Sequence, residues 1–359
     1  MIRIFVVGFS TDKGGVESYI SNLCSNLDKK EYEIILCWPE MKINGKTWIC
    51  PQNRHNYIKY ASFWTRFFKE NKFDVIYYNT CDIVSIDMLR FAKSSGVKVR
   101  IIHSHSTENQ LKMNAFHRIS EKINRRFVSH YANCLLACSE EAGKWMFPYD
   151  EFQVISNGID LEKFSFSKKY RSEIRSCLGL NNEFVIGCLG RLDSEKNPLR
   201  SFAVMETVIN KNKDVCGIFI GDGEYREGLE NAVKSSKHSE KFFLLGPKDD
   251  AYKWYSAFDC LLMPSLFEGL PFVLVEAQCS GLPCVVSSSV SEKSNICGLV
   301  DFVSLEEDDS VWANKVIEKI NCTRTEHKKE LSLSGYDIKI TAKTIDDLIK
   351  GSLYEKSNS

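Results

Sequence analysis

The feature that most narrows the fold is an alternation. Short apolar runs ending in Gly, Ser, Asn or His alternate with longer stretches of helical spacing, almost from one end of the chain to the other. That order predicts parallel strands joined by crossover helices. In the first half, strands are expected at 3–8, 33–38, 74–79, 97–104, 133–138 and 152–156, and helices at 15–27, 57–71, 84–95 and 110–131. The strands' near-continuous Val, Ile, Leu and Phe content fits a sheet covered on both faces. From Asp160 to Tyr170 the chain turns polar, with Lys163, Lys168 and Lys169 and two isolated phenylalanines, and reads as a linker. The alternation then restarts, with strands at 184–189, 216–221, 242–245, 260–264, 283–287 and 299–303 and helices at 197–211, 224–236, 249–257, 268–280 and 308–321. A last helical pattern occupies 338–354, after Gly335. Two doubly wound α/β units in tandem is the simplest reading, and 359 residues exceed what one hydrophobic core usually supports.

Composition excludes several classes. Lys plus Arg and Asp plus Glu are both 47, so a protein that works by coating nucleic acid is not expected. The opening Met1 to Gly8 is too short for a secretory core and reads as the first strand. No run of about 18 uncharged apolar residues occurs, so no membrane span is expected. The 14 cysteines are scattered through apolar runs, without a Cys-x-x-Cys, and read as small core side chains. The nearest pairs, Cys134 with Cys138 and Cys279 with Cys284, lack a second pair at zinc spacing, so no metal site is expected. Free buried thiols imply a reducing compartment, hence cytoplasm.

Candidate chemistry sits where strands hand over to helices. Gly14-Gly15-Val16-Glu17 follows the first strand, and adjacent glycines there admit a phosphate to backbone amides at a helix N-terminus or simply make a turn. It is neither G-x-G-x-x-G nor a Walker loop. Gly190-Arg191 through Lys196-Asn197-Pro198 places two cations after an apolar strand, suited to a pyrophosphate or to a solvated loop. Gly221-Asp222-Gly223 ends the next strand. The densest segment runs from Pro264 through Glu268-Gly269-Leu270-Pro271 to Glu276-Ala277. On one helix, the eight positions from Glu268 to Glu276 would turn about 800°, leaving the two carboxylates within roughly 80° of each other. Glu276 stands inside an apolar helix, either on its wet face or accepting from ribose hydroxyls.

Taken in order, Gly14-Gly15-Val16-Glu17, Asn157-Gly158-Ile159-Asp160, Gly190-Arg191 to Lys196-Asn197, Gly221-Asp222-Gly223 and the E-x7-E segment resemble the GT4 family of retaining glycosyltransferases. The chain especially resembles bacterial members that build capsular, exopolysaccharide or lipopolysaccharide chains. The resemblance covers nearly the whole chain. It implies the GT-B architecture, two Rossmann-like domains facing across a cleft: residues 1–165 as acceptor domain, with the helix at 338–354 crossing back to it, and 166–337 as nucleotide-sugar donor domain. It implies that Arg191 and Lys196 hold the donor diphosphate, Glu276 the ribose, and Glu268 the donor sugar together with Gly190, Gly269 and Leu270. Gly14 and Gly15 would meet the diphosphate, and Leu245 and Gly246 would offer backbone contacts to the base. Ser156 stands where the family usually has proline before Asn-Gly.

His103 and His105 end one strand and share a face by alternation. By residue type alone both are as readily structural as functional; the family places a histidine here near the donor sugar, and Ser106-Thr107 favours His105. The implied reaction is transfer of a sugar, from a UDP-sugar by the family's habit, to a hydroxyl of a growing, lipid-linked glycan. Arg191 and Lys196 would replace a metal, since no Asp-x-Asp occurs. No cofactor is expected beyond the sugar nucleotide as co-substrate. From Arg90 to Arg126, Arg90, Lys93, Lys98, Arg100, Lys112, Arg118, Lys122, Arg125 and Arg126 face only Glu108 and Glu121, a local net of +7. That is either a solvated face or an attachment to an anionic membrane, which the resemblance favours. A sugar-nucleotide epimerase of similar shape and a non-catalytic scaffold are the rival readings.

Overall fold

A computed structural model describes residues 1–9, 14–51, 54–108, 113–268 and 271–355. The chain forms two compact units, Met1–Gly158 with Gly335–Ser359, and Ile159–Ser334.

The first unit contains β1 (Ile2–Val7), α1 (Gly15–Asn26), β2 (Tyr32–Leu36), β3 (Glu40–Ile43), β4 (Lys46–Ile49), α2 (Tyr57–Asn71), β5 (Val75–Thr80), α3 (Asp87–Ser94), β6 (Val99–Ser104), α4 (Ala115–Tyr131), β7 (Cys134–Ala137), α5 (Glu140–Met146) and β8 (Gln153–Val154). Six strands form one parallel sheet in the order β2-β1-β5-β6-β7-β8. Phe5, Trp64, Phe67, Phe68 and Phe73 interlock beneath it, with Phe5 and Phe68 edge-on at 5.5 Å. Polar side chains close the helix starts: Asn56 accepts from the Lys59 amide, Asn114 from His117 and Ser139 from Ala142.

The second unit contains α6 (Lys168–Cys177), β9 (Phe184–Leu189), α7 (Pro198–Lys211), β10 (Val215–Ile220), α8 (Arg226–Ser235), β11 (Phe242–Leu244), α9 (Ala251–Ala257), β12 (Cys260–Met263), α10 (Phe272–Cys279), β13 (Cys284–Ser287), β14 (Val300–Val303), α11 (Asp309–Ile317) and α12 (Lys328–Leu333). Its sheet is also parallel, in the order β11-β10-β9-β12-β13-β14. The order reverses between β9 and β12, and ligands in such sheets bind beyond the strand ends at that reversal. All six residues of β10 are buried, as a strand covered on both faces requires.

The final helix, α13 (Ile338–Glu355), belongs to the first unit. There it contacts α1 and β6, and the Tyr32 hydroxyl donates to Asp346.

Several expectations change. The hairpin β3–β4 was not expected, because its strands are short and polar on one face. Its Asn44-Gly45 turn, with φ of 51° and 76°, is the signal that would have found it. The short helices α5, α6 and α12 were also unexpected. Asp160 to Tyr170 is no linker: Leu161 and Phe164 are buried, and the Asp160 carboxylate accepts from the amides of Glu162 and Lys163 at 3.0 Å each. The division between units accordingly falls after Gly158 rather than after 165, and the return begins at Gly335. The α6 helix is held by buried charge: Arg171 and Arg175 both reach Asp259, at 2.6 and 3.1 Å, and both donate to the Ala257 carbonyl that ends α9.

None of the 14 cysteines is joined in a disulfide. Among the described residues, no helix is long and apolar enough to cross a membrane.

Candidate active site

In the second unit the site is assembled from loops at the carboxyl ends of β9, β10 and β12. The β9 loop runs from Gly190 to Asn197 and is shaped by Asp193, whose carboxylate accepts the Lys196 amide at 3.0 Å. Two bonds tie this loop to the one after β12: the Leu266 amide donates to the Glu195 carbonyl at 2.7 Å, and the Asn197 side-chain amide donates to the Pro264 carbonyl at 3.3 Å. They bring the Lys196 ammonium onto the Glu268 carboxylate as an ion pair from which water is largely excluded. Gly221 lies against the same loop, and a Cβ there would come within 1.8 Å of the Gly190 carbonyl oxygen, so only glycine fits.

Arg191 stands apart from that pair. Its side chain is 71% exposed and its ion-pair partners are Asp193 and Glu195, at 3.3 and 3.9 Å. The helical argument that joined Glu268 to Glu276 also fails, because α10 begins only at Phe272. Glu268 lies before it, in an isolated bridge to Val290. Pro271, which has no amide hydrogen to give a preceding turn, immediately precedes the helix. Gly269 and Leu270 lie outside the described residues.

Glu276 is on α10 and receives the Tyr255 hydroxyl at 2.5 Å. Burial raises its carboxyl to a pKa of about 7, against the opposing pull of that hydrogen bond and of Lys163. Tyr255 escaped the sequence reading because an aromatic in a short apolar helix reads as core. Leu245 and Gly246 follow β11; the Leu245 amide is used by the Phe219 carbonyl and is not available to a ligand.

The first unit gathers a second polar cluster at the carboxyl ends of β1, β5 and β6. Gly14 and Gly15 form the N-terminal boundary of α1. The Asn79 side-chain amide donates to the Val7 carbonyl at 3.2 Å, which turns its oxygen towards His105 Nε2 at 3.0 Å. Nε2 of His105 is therefore the donor and Nδ1 the ring's acceptor. His103 lies against His105 with ring centroids 4.2 Å apart and the rings tilted by 41°. Its Nδ1 is 2.7 Å from the Tyr77 hydroxyl, which lies 2.9 Å from that of Tyr19. His103, Tyr77 and Tyr19 are buried, whereas His105 keeps a partly open edge. Burial pushes His105 down to a pKa of about 3, against contact with Asn157, and His103 lies well below the ordinary histidine value by burial and by its neighbour. Both rings are neutral near pH 7. His105 is thus suited to giving and accepting hydrogen bonds rather than to carrying charge.

Residues 183–321 match the family model described as "Glycosyl transferases group 1", and residues 13–163 match "Glycosyltransferase Family 4". Each model takes in most of one unit. The chain belongs to the GT4 glycosyltransferases. It is 28% identical to the putative glycosyltransferase EpsF of Bacillus subtilis over 357 aligned positions, covering 93% of each chain. It is also 28% identical, over 80% of each chain, to a Campylobacter jejuni α-1,4-N-acetyl-D-galactosaminyltransferase whose name gives a saccharide on PP-undecaprenol. Among solved structures, Anabaena HepE in complex with UDP and glucose superimposes with a TM-score of 0.76 at 17% identity, covering 98% of this chain and all of that one. That likeness establishes the GT-B fold for this GT4 member.

Proposed function

We propose that this glycosyltransferase moves a sugar, with retention of configuration, from a UDP-sugar to a hydroxyl of a lipid-linked glycan in cell-surface polysaccharide synthesis. The observation that carries the reading is the Lys196–Glu268 ion pair, built by two loops at the strand-order reversal of the second unit. When the glycosidic bond breaks, negative charge grows on the departing diphosphate and positive charge on the sugar ring. Lys196, with Arg191 on the same loop, stabilises the first, and Glu268 lies where it can serve the second. Glu276 accepts from the ribose hydroxyls. The acceptor attacks from the face the diphosphate leaves, and its proton passes to a phosphate oxygen. His105 contributes a neutral hydrogen bond to the donor sugar. With Lys196 in place and Arg191 on the same loop, this scheme calls on no metal. The UDP complex of HepE and the PP-undecaprenol acceptor in the Campylobacter enzyme's name support the choice of substrates.

Titration calorimetry of purified protein with UDP, GDP, ADP and CMP, without added metal, tests the donor assignment. Selective UDP binding is expected. A folded protein that binds none of the four overturns it.

A membrane attachment belongs to the same proposal. The basic stretch is not one continuous face: Arg90 donates to Asn124, Arg100 to the Tyr131 and Val97 carbonyls, and Lys93 to the His130 carbonyl. Lys112 lies outside the described residues. What remains outward on α4 is amphipathic. Phe116, Ile119, Ile123 and Phe127, between 48% and 73% exposed, fall on one stripe, and Arg118, Lys122 and Arg126 run beside it. Apolar side chains flanked by cations suit an anionic lipid surface at the cytoplasmic face. Flotation with phosphatidylglycerol vesicles at low salt is expected, and Ile123→Glu with Phe127→Glu should abolish it. Wild-type protein that stays at the bottom of the gradient sinks the attachment.

A further inference from the structure

Tyr255 is completely buried, and a phenol in that position needs a partner for its hydroxyl. Its partner is the Oε2 atom of Glu276, at 2.5 Å. Both flanks of the phenol are anchored. The Phe164 ring meets it at 5.9 Å and 65°, and Phe164 comes from the turn closed by Asp160. The carbonyls that end α9 are gripped from the other side: Arg171 takes those of Ser256, Ala257 and Phe258, Arg175 that of Ala257, and Arg324 that of Phe258. Cys279 at the end of α10 donates to the Leu161 carbonyl at 3.3 Å, so the same turn also holds the helix that carries Glu276. The turn that looked like a linker therefore packs against Tyr255 and holds the end of the helix that carries Glu276.

We propose that Tyr255 is a positioning residue for Glu276: it holds Oε2 and so aims Oε1 at the paired hydroxyls of the donor's ribose. The inference rests on the reading of Glu276 as the ribose-binding carboxylate. A glutamate side chain has three rotatable bonds, and ordering it before the ligand arrives removes that cost from binding. Each carboxylate oxygen has two acceptor directions, so one hydrogen bond to Oε2 leaves Oε1 wholly free for ligand and Oε2 half so. The charged or titratable groups acting on Glu276 are Tyr255 from α9 and Lys163 from the turn. Both favour its ionised form, the form that accepts from two hydroxyls.

The test compares UDP affinity and donor kinetics in wild type, Y255F, E276Q and the double variant, with thermal melts to establish folding. Y255F removes one oxygen and keeps the ring. It is expected to weaken UDP binding about tenfold, as loss of a charge-assisted hydrogen bond would. It should raise KM for the donor more than it lowers kcat, and shift the pH midpoint of UDP binding upward. In the E276Q background the same change should alter affinity less than about twofold, because the group it positions is gone. Wild-type affinity and an unmoved pH midpoint in Y255F overturn the positioning role. An equal loss in both backgrounds does so too, since it marks a packing effect. E276Q that binds UDP as tightly as wild type instead overturns the reading of Glu276 itself.

Discussion

Lys196→Ala is expected to lower turnover by about 10²- to 10³-fold, the usual effect of removing one preplaced group that stabilises developing charge. The ammonium is bound by Glu268 before any ligand arrives, so its position costs no reorganisation during bond cleavage. Arg191 cannot substitute for it where it stands, because it is mostly exposed and paired with Asp193 and Glu195. The loop should survive the change. Its ties from Leu266 to Glu195 and from Asn197 to Pro264 do not involve the lysine side chain. Steady-state release of UDP, with circular dichroism as the check on folding, measures the effect. Turnover within twofold of wild type, by a folded variant, would remove Lys196 from the mechanism.

Glu276→Ala should weaken UDP binding by about 10- to 100-fold, since a carboxylate that accepts hydroxyl hydrogen bonds contributes roughly 1.5–3 kcal/mol. A pH dependence accompanies it. The carboxyl titrates near 7 in the folded protein against 4.5 as an ordinary glutamate. UDP affinity should therefore rise as pH increases through about 7 in wild type, and this rise should be absent in the alanine variant. Stability moves the other way. The folded state binds the Glu276 proton more tightly than the unfolded chain does, so this group's contribution is complete below pH 4.5 and is lost as pH rises towards 7. Calorimetric affinities at pH 6, 7 and 8 and paired thermal melts at pH 5 and 7 give both trends. A wild-type affinity that does not change with pH would mean that Glu276 is already ionised in the free protein.

The strand alternation was legible because covering a parallel sheet on both faces demands continuous apolar runs, and such runs are local in sequence. Strand β9 and helix α2 fall at the residues expected from spacing alone. The hairpin β3–β4 was missed because it buries only Met41, Ile43 and Trp48 from alternate positions, leaving a polar pattern with one informative Asn-Gly. Helix α6 was missed for a different reason. Its face is arginine, and nothing near it in the chain shows that Asp259 waits more than 80 residues away.

The site divides along the same line. Position at strand ends drew attention to Lys196, Glu268 and the two histidines, and an apolar helix to Glu276, but it was the family resemblance that gave each of them a role. It also placed Glu268 and Glu276 on one helix, because spacing is counted along a continuous helix and cannot see that α10 starts at Phe272. Tertiary structure decided which of those groups meet. It paired Lys196 with Glu268 across two loops, drew Arg191 away to its own carboxylates, set His105 against a buried His103, and bonded Tyr255 to Glu276. The physical reason is range. Apolar periodicity and turn chemistry act over a few neighbouring residues, whereas a buried charge or hydroxyl is satisfied by whatever distant strand or helix the packed sheet brings beside it.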